Sequence, residues 1–114
     1  MISVMEPLKQ SEHQIQTTIV HLLRIKGYYV MRLNSGKFSV SEGRTKRFIN
    51  GQSAGTPDLM AFKEISGRVR LLFIEVKRPG KKPTILQAAK MKELTDYGAI
   101  CLVATSPDDL TSYL

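Results

Sequence analysis

Apolar side chains at Ile15, Ile19, Leu22 and Leu23 recur every three to four residues between Ser11 and Lys26, the spacing that gathers one face of a helix. Ser11 can cap that helix through its hydroxyl, and Gly27 can end it. From Tyr28 to Leu33 the period falls to two. Tyr28, Val30 and Arg32 alternate against Tyr29, Met31 and Leu33, which predicts a strand closed by Asn34-Ser35-Gly36. Between Lys37 and Ala54 no period is sustained, and the glycines, small polar and basic residues there predict a long mobile loop over 37–54.

Regular patterning returns at Asp58 to Lys63 and Arg68 to Lys77, two strands joined as a hairpin around Ser66-Gly67. The second is apolar on both faces and so belongs inside the sheet. Pro79 stops it. Thr84 caps a further helix to about Tyr97, for which Ile85, Ala88, Ala89, Met91, Leu94 and Thr95 are the expected buried side. Gly98 ends the helix, and Ile100 to Ala104 reads as a strand returning parallel to the central one through a right-handed crossover. Ser106 to Leu114 reads as a short terminal helix, with Pro107, Asp108 and Asp109 in its first turn. The order is α-β-β-β-α-β-α, an α/β fold with a mixed sheet flanked by helices.

With 114 residues, 42% hydrophobic and 24% charged, the chain is expected to form one domain over 1–114, with 1–9 as a flexible N-terminus. Seventeen Lys and Arg against ten Asp and Glu give a formal charge of +7, which favours a polyanionic partner through counterion release. The charge is concentrated at Arg32, Lys37, Arg44, Lys46 and Arg47, and again at Lys77, Arg78, Lys81 and Lys82. A single cysteine, Cys101, allows no intrachain disulfide and sits in an apolar run as a small core residue. No segment approaches the ~18 consecutive apolar residues of a membrane span, and no secretory pattern opens the chain. A cytoplasmic location is the expectation, or nuclear if the source is eukaryotic.

The chemistry concentrates at Glu75-Val76-Lys77. Alternation on a strand points Glu75 and Lys77 the same way, while Leu71, Leu72, Phe73, Ile74 and Val76 mark buried surroundings. An ionised carboxylate placed there needs a partner or a metal. Gly55-Thr56-Pro57-Asp58 stands upstream, and Pro57 makes Asp58 a well-defined residue at the start of the first hairpin strand. If the two strands pair, Asp58 and Glu75 converge on one hard cation of the kind that prefers carboxylate oxygens and keeps several waters.

Pro57-Asp58 and Glu75-Val76-Lys77 resemble the PD-(D/E)XK nuclease signature. With Gly55-Thr56 before it, Arg78-Pro79 after it, Gln87 opening the next helix, Glu12 on the leading helix and Arg32-Leu33-Asn34-Ser35-Gly36, the chain resembles the VRR-NUC branch from about Glu12 to Asp109. It has the form of a standalone minimal member, of viral or bacterial type. The resemblance implies a restriction-endonuclease-like core and a Mg2+- or Mn2+-dependent endodeoxyribonuclease. Asp58, Glu75 and the Val76 carbonyl would be its metal ligands, and Lys77 would orient the attacking water or stabilise the phosphorane. It further implies that Gln87 lies over the site and that Glu12 serves a second metal or acts through water. Asn34, Ser35, Lys37, Arg44, Lys46, Arg47, Arg78, Lys81 and Lys82 would contact DNA. The implied substrate is branched DNA such as a Holliday junction. Symmetric incision of a junction needs two active sites and hence a homodimer. Neither a membrane nor a nucleotide cofactor is implied.

Plainer readings compete at each position. Glu75 and Lys77 alone would be a same-face pair worth about 0.2–1 kcal/mol if exposed. Their apolar neighbours and the spaced Asp58 favour chemistry, because desolvating such a pair has little structural purpose. Glu12 also suits the first turn of a helix for dipole reasons, and Gln87 also suits solvent. His13 and His21 lie eight residues apart, without the i, i+4 spacing of a zinc motif, and read as surface or packing residues. There is no H-E-x-x-H, no C-x-x-C and no complete phosphate-binding loop. The principal alternative is a non-catalytic DNA-binding module in a replication or repair assembly; a structural or protein-interaction domain comes third.

Overall fold

A computed structural model of the chain describes residues 10–33, 38–42, 45–49 and 54–114. Helix α1 (Glu12–Ile25) begins at Ser11, whose hydroxyl accepts from Gln14 N at 3.1 Å while Gln14 Oε1 accepts from Ser11 N at 2.9 Å. This reciprocal cap satisfies two of the N–H groups that a helix start leaves bare. Gly27, at φ +89°, turns the chain out of the helix. Strand β1 (Tyr29–Arg32) follows.

With β4 (Leu59–Ile65), β5 (Arg68–Val76) and β6 (Ile100–Ala104), β1 forms the four-stranded main sheet, in the order β1-β4-β5-β6. Strand β4 pairs antiparallel with β1 and with β5, and β6 lies parallel to β5. Ser66 and Gly67 both have positive φ, the geometry that closes a two-residue hairpin without splaying its strands. One sheet face, with Leu59, Ala61, Leu72, Ile74, Val76 and Ala104, packs on Ile15, Ile19 and Leu23 of α1 and on Leu110. These residues bury the core between that face and α1.

The structure corrects three expectations. Within the predicted loop 37–54, strands β2 (Phe38–Glu42) and β3 (Thr45–Ile49) form a separate antiparallel ribbon. The short alternation Phe38-Ser39-Val40-Ser41 and the β-prone Phe48-Ile49 carry this pattern, and the intervening basic residues obscured it. Helix α2 (Ile85–Asp96) has no fully buried residue; Ile85 is 88% and Leu86 62% exposed. Its inward stripe is Gln87, Lys90, Met91 and Leu94, half-buried toward β6, because two polar residues share that face with two apolar ones. The terminal element (Pro107–Tyr113) is a 3-10 helix rather than an α-helix. Asp109 Oδ2 holds its start, accepting from Thr105 N at 2.8 Å, Thr105 Oγ1 at 3.0 Å and Ser106 N at 3.3 Å. The expected flexible segment 1–9, with Asn34, Ser35, Lys37 and Arg44, lies outside the described residues.

Candidate active site

The hairpin register brings the two acids together. Leu59 faces Ile74 across β4 and β5, so one step further along the ladder Asp58 faces Glu75, on the same side of the sheet. Asp58 is fixed from both directions. Its Oδ2 accepts from Val76 N at 2.8 Å, and its carbonyl accepts from Leu33 N at 2.7 Å. Pro57 before it is buried, and Gly55 sits against the first turn of α2, where a Cβ would lie 2.5 Å from the Leu86 carbonyl oxygen. Gly55 also has φ +83°, so both the space and the backbone geometry there demand glycine.

Glu75 is 2% exposed, the only buried charged or polar residue among those described. Lys77 Nζ stands 3.6 Å from Glu75 Oε1, while Oε2 is buried with no hydrogen-bond partner. Burial pushes the Glu75 carboxyl up to about 7, the negative charge of Asp58 adds to the rise, and the Lys77 ammonium offsets part of it. Asp58 and the buried Glu75 stand together in this corner, with the Lys77 ammonium beside Glu75. Asp58, Glu75 and the neighbouring Val76 backbone therefore suit a hard divalent cation, which would occupy the unpaired oxygen and screen the mutual repulsion. Among the described residues no cluster of three or more His, Cys, Asp or Glu side chains gathers, so the protein's share of such a shell is small and water would complete it.

A cleft of about 170 Å³ opens beside this corner, lined by Glu12, His13, Gln16, Asp58 and Val76. Glu12 thus shares a cleft with Asp58. His13 and Gln16 line it as well, and His13 is exposed, in keeping with its reading as a surface residue. Helical spacing carries part of this signal, since Gln16 lies one turn beyond Glu12, but only the docking of α1 shows which sheet end that face meets.

Gln87, expected to lie over the site, caps the start of α2. Its Oε1 accepts from Thr84 N at 2.9 Å, and its own N–H donates to Thr84 Oγ1 at 3.2 Å, so its side-chain oxygen is engaged in capping α2. Arg78, Lys81 and Lys82 follow Lys77 on an exposed turn at the same end of the sheet, and none forms an ion pair among the described residues. Lys46 and Arg47 belong to β3, of which only the backbone is described.

The family model of the VRR-NUC domain matches residues 10–108. The chain belongs to the VRR-NUC domain family. Comparison with curated proteins and with solved structures finds no significant match. The mixed sheet with helices is consistent with the restriction-endonuclease-like core expected of a VRR-NUC domain, with the β2–β3 ribbon as an addition to the expected element order. The matched span includes Glu12, Asp58, Glu75, Lys77 and Gln87.

Proposed function

We propose that this nuclease-type domain is a Mg2+- or Mn2+-dependent endodeoxyribonuclease acting on branched DNA as a homodimer. The observation that carries the reading is the cross-strand pairing of Asp58 with a buried Glu75 whose Oε2 has no partner, next to the Lys77 ammonium. Asp58 and Glu75, with the Val76 carbonyl, would hold the cation. When bound, such an ion supplies Lewis acidity toward the phosphodiester and lowers the pKa of a coordinated water. Lys77, 13% exposed, orients the attacking water or meets the charge that develops on the phosphorane oxygens. Glu12, which lines the same cleft as Asp58, would hold a second cation or act through water. Arg78, Lys81 and Lys82 neutralise the flanking phosphates.

Incision of both strands at a junction requires two such sites, and the exposed Ile85, Leu86 and Tyr97 around α2 are apolar surface available to a second copy. Purified protein is incubated with four-way, flap and linear duplex DNA, with and without Mn2+, beside Lys77→Ala. Metal-dependent product on the branched substrates, absent from Lys77→Ala, supports the proposal. Binding without metal-dependent product would identify a DNA-binding module instead. Light scattering tests the dimer.

A further inference from the structure

The opposite end of β5 carries a second group of cations. The β5–β6 register begins at Leu72 opposite Ile100, so Arg68 to Leu71 run past β6 without a strand neighbour on that side. The notch left at the sheet edge is a cavity of about 340 Å³, bounded by Ile65, Arg68, Arg70, Gly98 and Ile100 among others. Gly98, with no side chain, keeps its far wall open. Arg70 Nε is buried and makes no hydrogen bond, and neither Arg68 nor Arg70 forms an ion pair among the described residues. Lys63, opposite Arg70 in the register, is turned away from the notch: its ammonium donates to the Lys26 carbonyl at 2.9 Å and lies 4.6 Å over the Tyr28 ring. Glu64 lies opposite Val69 and so falls on the other face of the ribbon.

A buried guanidinium N–H without an acceptor is costly, and two arginines at i and i+2 on one strand face form a fork that fits a tetrahedral oxyanion. We propose that this notch is a phosphate-binding site, separate from the acidic corner. Arg70 and Glu75 are five residues apart along one strand, about 17 Å at strand rise, so one phosphate group cannot touch both. Its ligand is a phosphate carried either by a free small molecule or by a DNA backbone lying along the side of the sheet. The site does not depend on the nuclease reading.

The test uses the full 114-residue chain as wild type, Arg70→Ala and Arg68→Ala. Arg68 is exposed, so its variant keeps the test available if Arg70→Ala fails to fold, and circular dichroism confirms the fold of each. Thermal melts are recorded in inorganic phosphate and in sodium chloride of matched ionic strength. Duplex DNA affinity is measured as a function of salt. A rise in wild-type Tm specific to phosphate and lost in the variants supports a free phosphate ligand. A salt dependence of DNA binding that flattens by about 1 in logarithmic slope in each variant, without a phosphate-specific Tm rise, supports the DNA backbone. If wild type and variants respond alike in both measurements, the proposal is overturned. None of these readouts requires cleavage, so an inactive enzyme would leave the result intact.

Discussion

Replacing Glu75 by glutamine should stabilise the metal-free protein at alkaline pH while abolishing its activity. The carboxyl is raised from 4.5 to about 7 in the fold, first by burial and then by Asp58. A raised acid holds its proton in the folded state where the unfolded chain has released it. Stability therefore falls as pH climbs from about 4.5 to about 7, and the deficit is complete above that. The difference of two to three pH units corresponds to about 3 kcal/mol. An amide of the same shape removes this penalty at every pH. The attraction of the Lys77 ammonium at 3.6 Å is already counted in the raised value, so its loss subtracts nothing further. The net gain at pH 8 is then about 3 kcal/mol, a Tm rise of roughly 10–15 °C for a chain of this size. Near pH 5 less than about 1 kcal/mol of the original penalty remains, so the two proteins should melt within a few degrees of one another. Calorimetric melts in chelator at pH 5 and pH 8 measure this directly. Adding Mn2+ or Mg2+ should raise the Tm of the wild type by mass action and leave Glu75→Gln nearly unchanged. A Glu75→Gln protein that melts below wild type at pH 8 without divalent ions would refute the account of a carboxylate held in deficit for a cation.

Three other outcomes follow from the same geometry. Lys77→Ala should eliminate metal-dependent cleavage while keeping the divalent-induced Tm rise, as read by gel assay and melts on the same preparation. Gly55→Ala places a methyl 2.5 Å from the Leu86 carbonyl at φ +83°; it should cost about 2 kcal/mol or more and disturb Asp58, lowering both Tm and apparent metal affinity. Asp109→Ala removes the acceptor for Thr105 and Ser106 and should cost about 1 kcal/mol in urea melts at pH 7. Those hydrogen bonds hold the Asp109 carboxyl below 3.8, so its contribution is present above that pH and fades as the solution is acidified through the lowered value; wild type and variant should converge there.

Much of the active corner was legible in the chain because strands impose parity. Glu75 and Lys77 share a face by alternation, and the Ser66-Gly67 turn made antiparallel pairing of the two flanking strands predictable. Where period and physics disagreed with composition, the reading failed. The ribbon of β2 and β3 was hidden because strand pairing is made by backbone groups, which basic residues carry as well as apolar ones, so polarity alone does not mean loop. The buried side of α2 was overestimated because Ile85, Ala88, Ala89 and Thr95 face solvent in the fold; burial requires an opposing surface, and only the stripe of Gln87, Lys90, Met91 and Leu94 is half-buried.

Local chemistry alone determined the caps at Ser11 and Thr84, the turn at Ser66-Gly67 and the strand of Glu75, since each depends on a few adjacent residues and short-range backbone geometry. Three-dimensional packing decided what no local rule reaches: that Asp58 and Glu75 meet in register, that Oε2 of Glu75 is left without a partner, and that α1 brings Glu12, His13 and Gln16 to the same cleft. Desolvation and charge repulsion depend on which groups surround a side chain in space, and residues distant along the chain supply most of those surroundings.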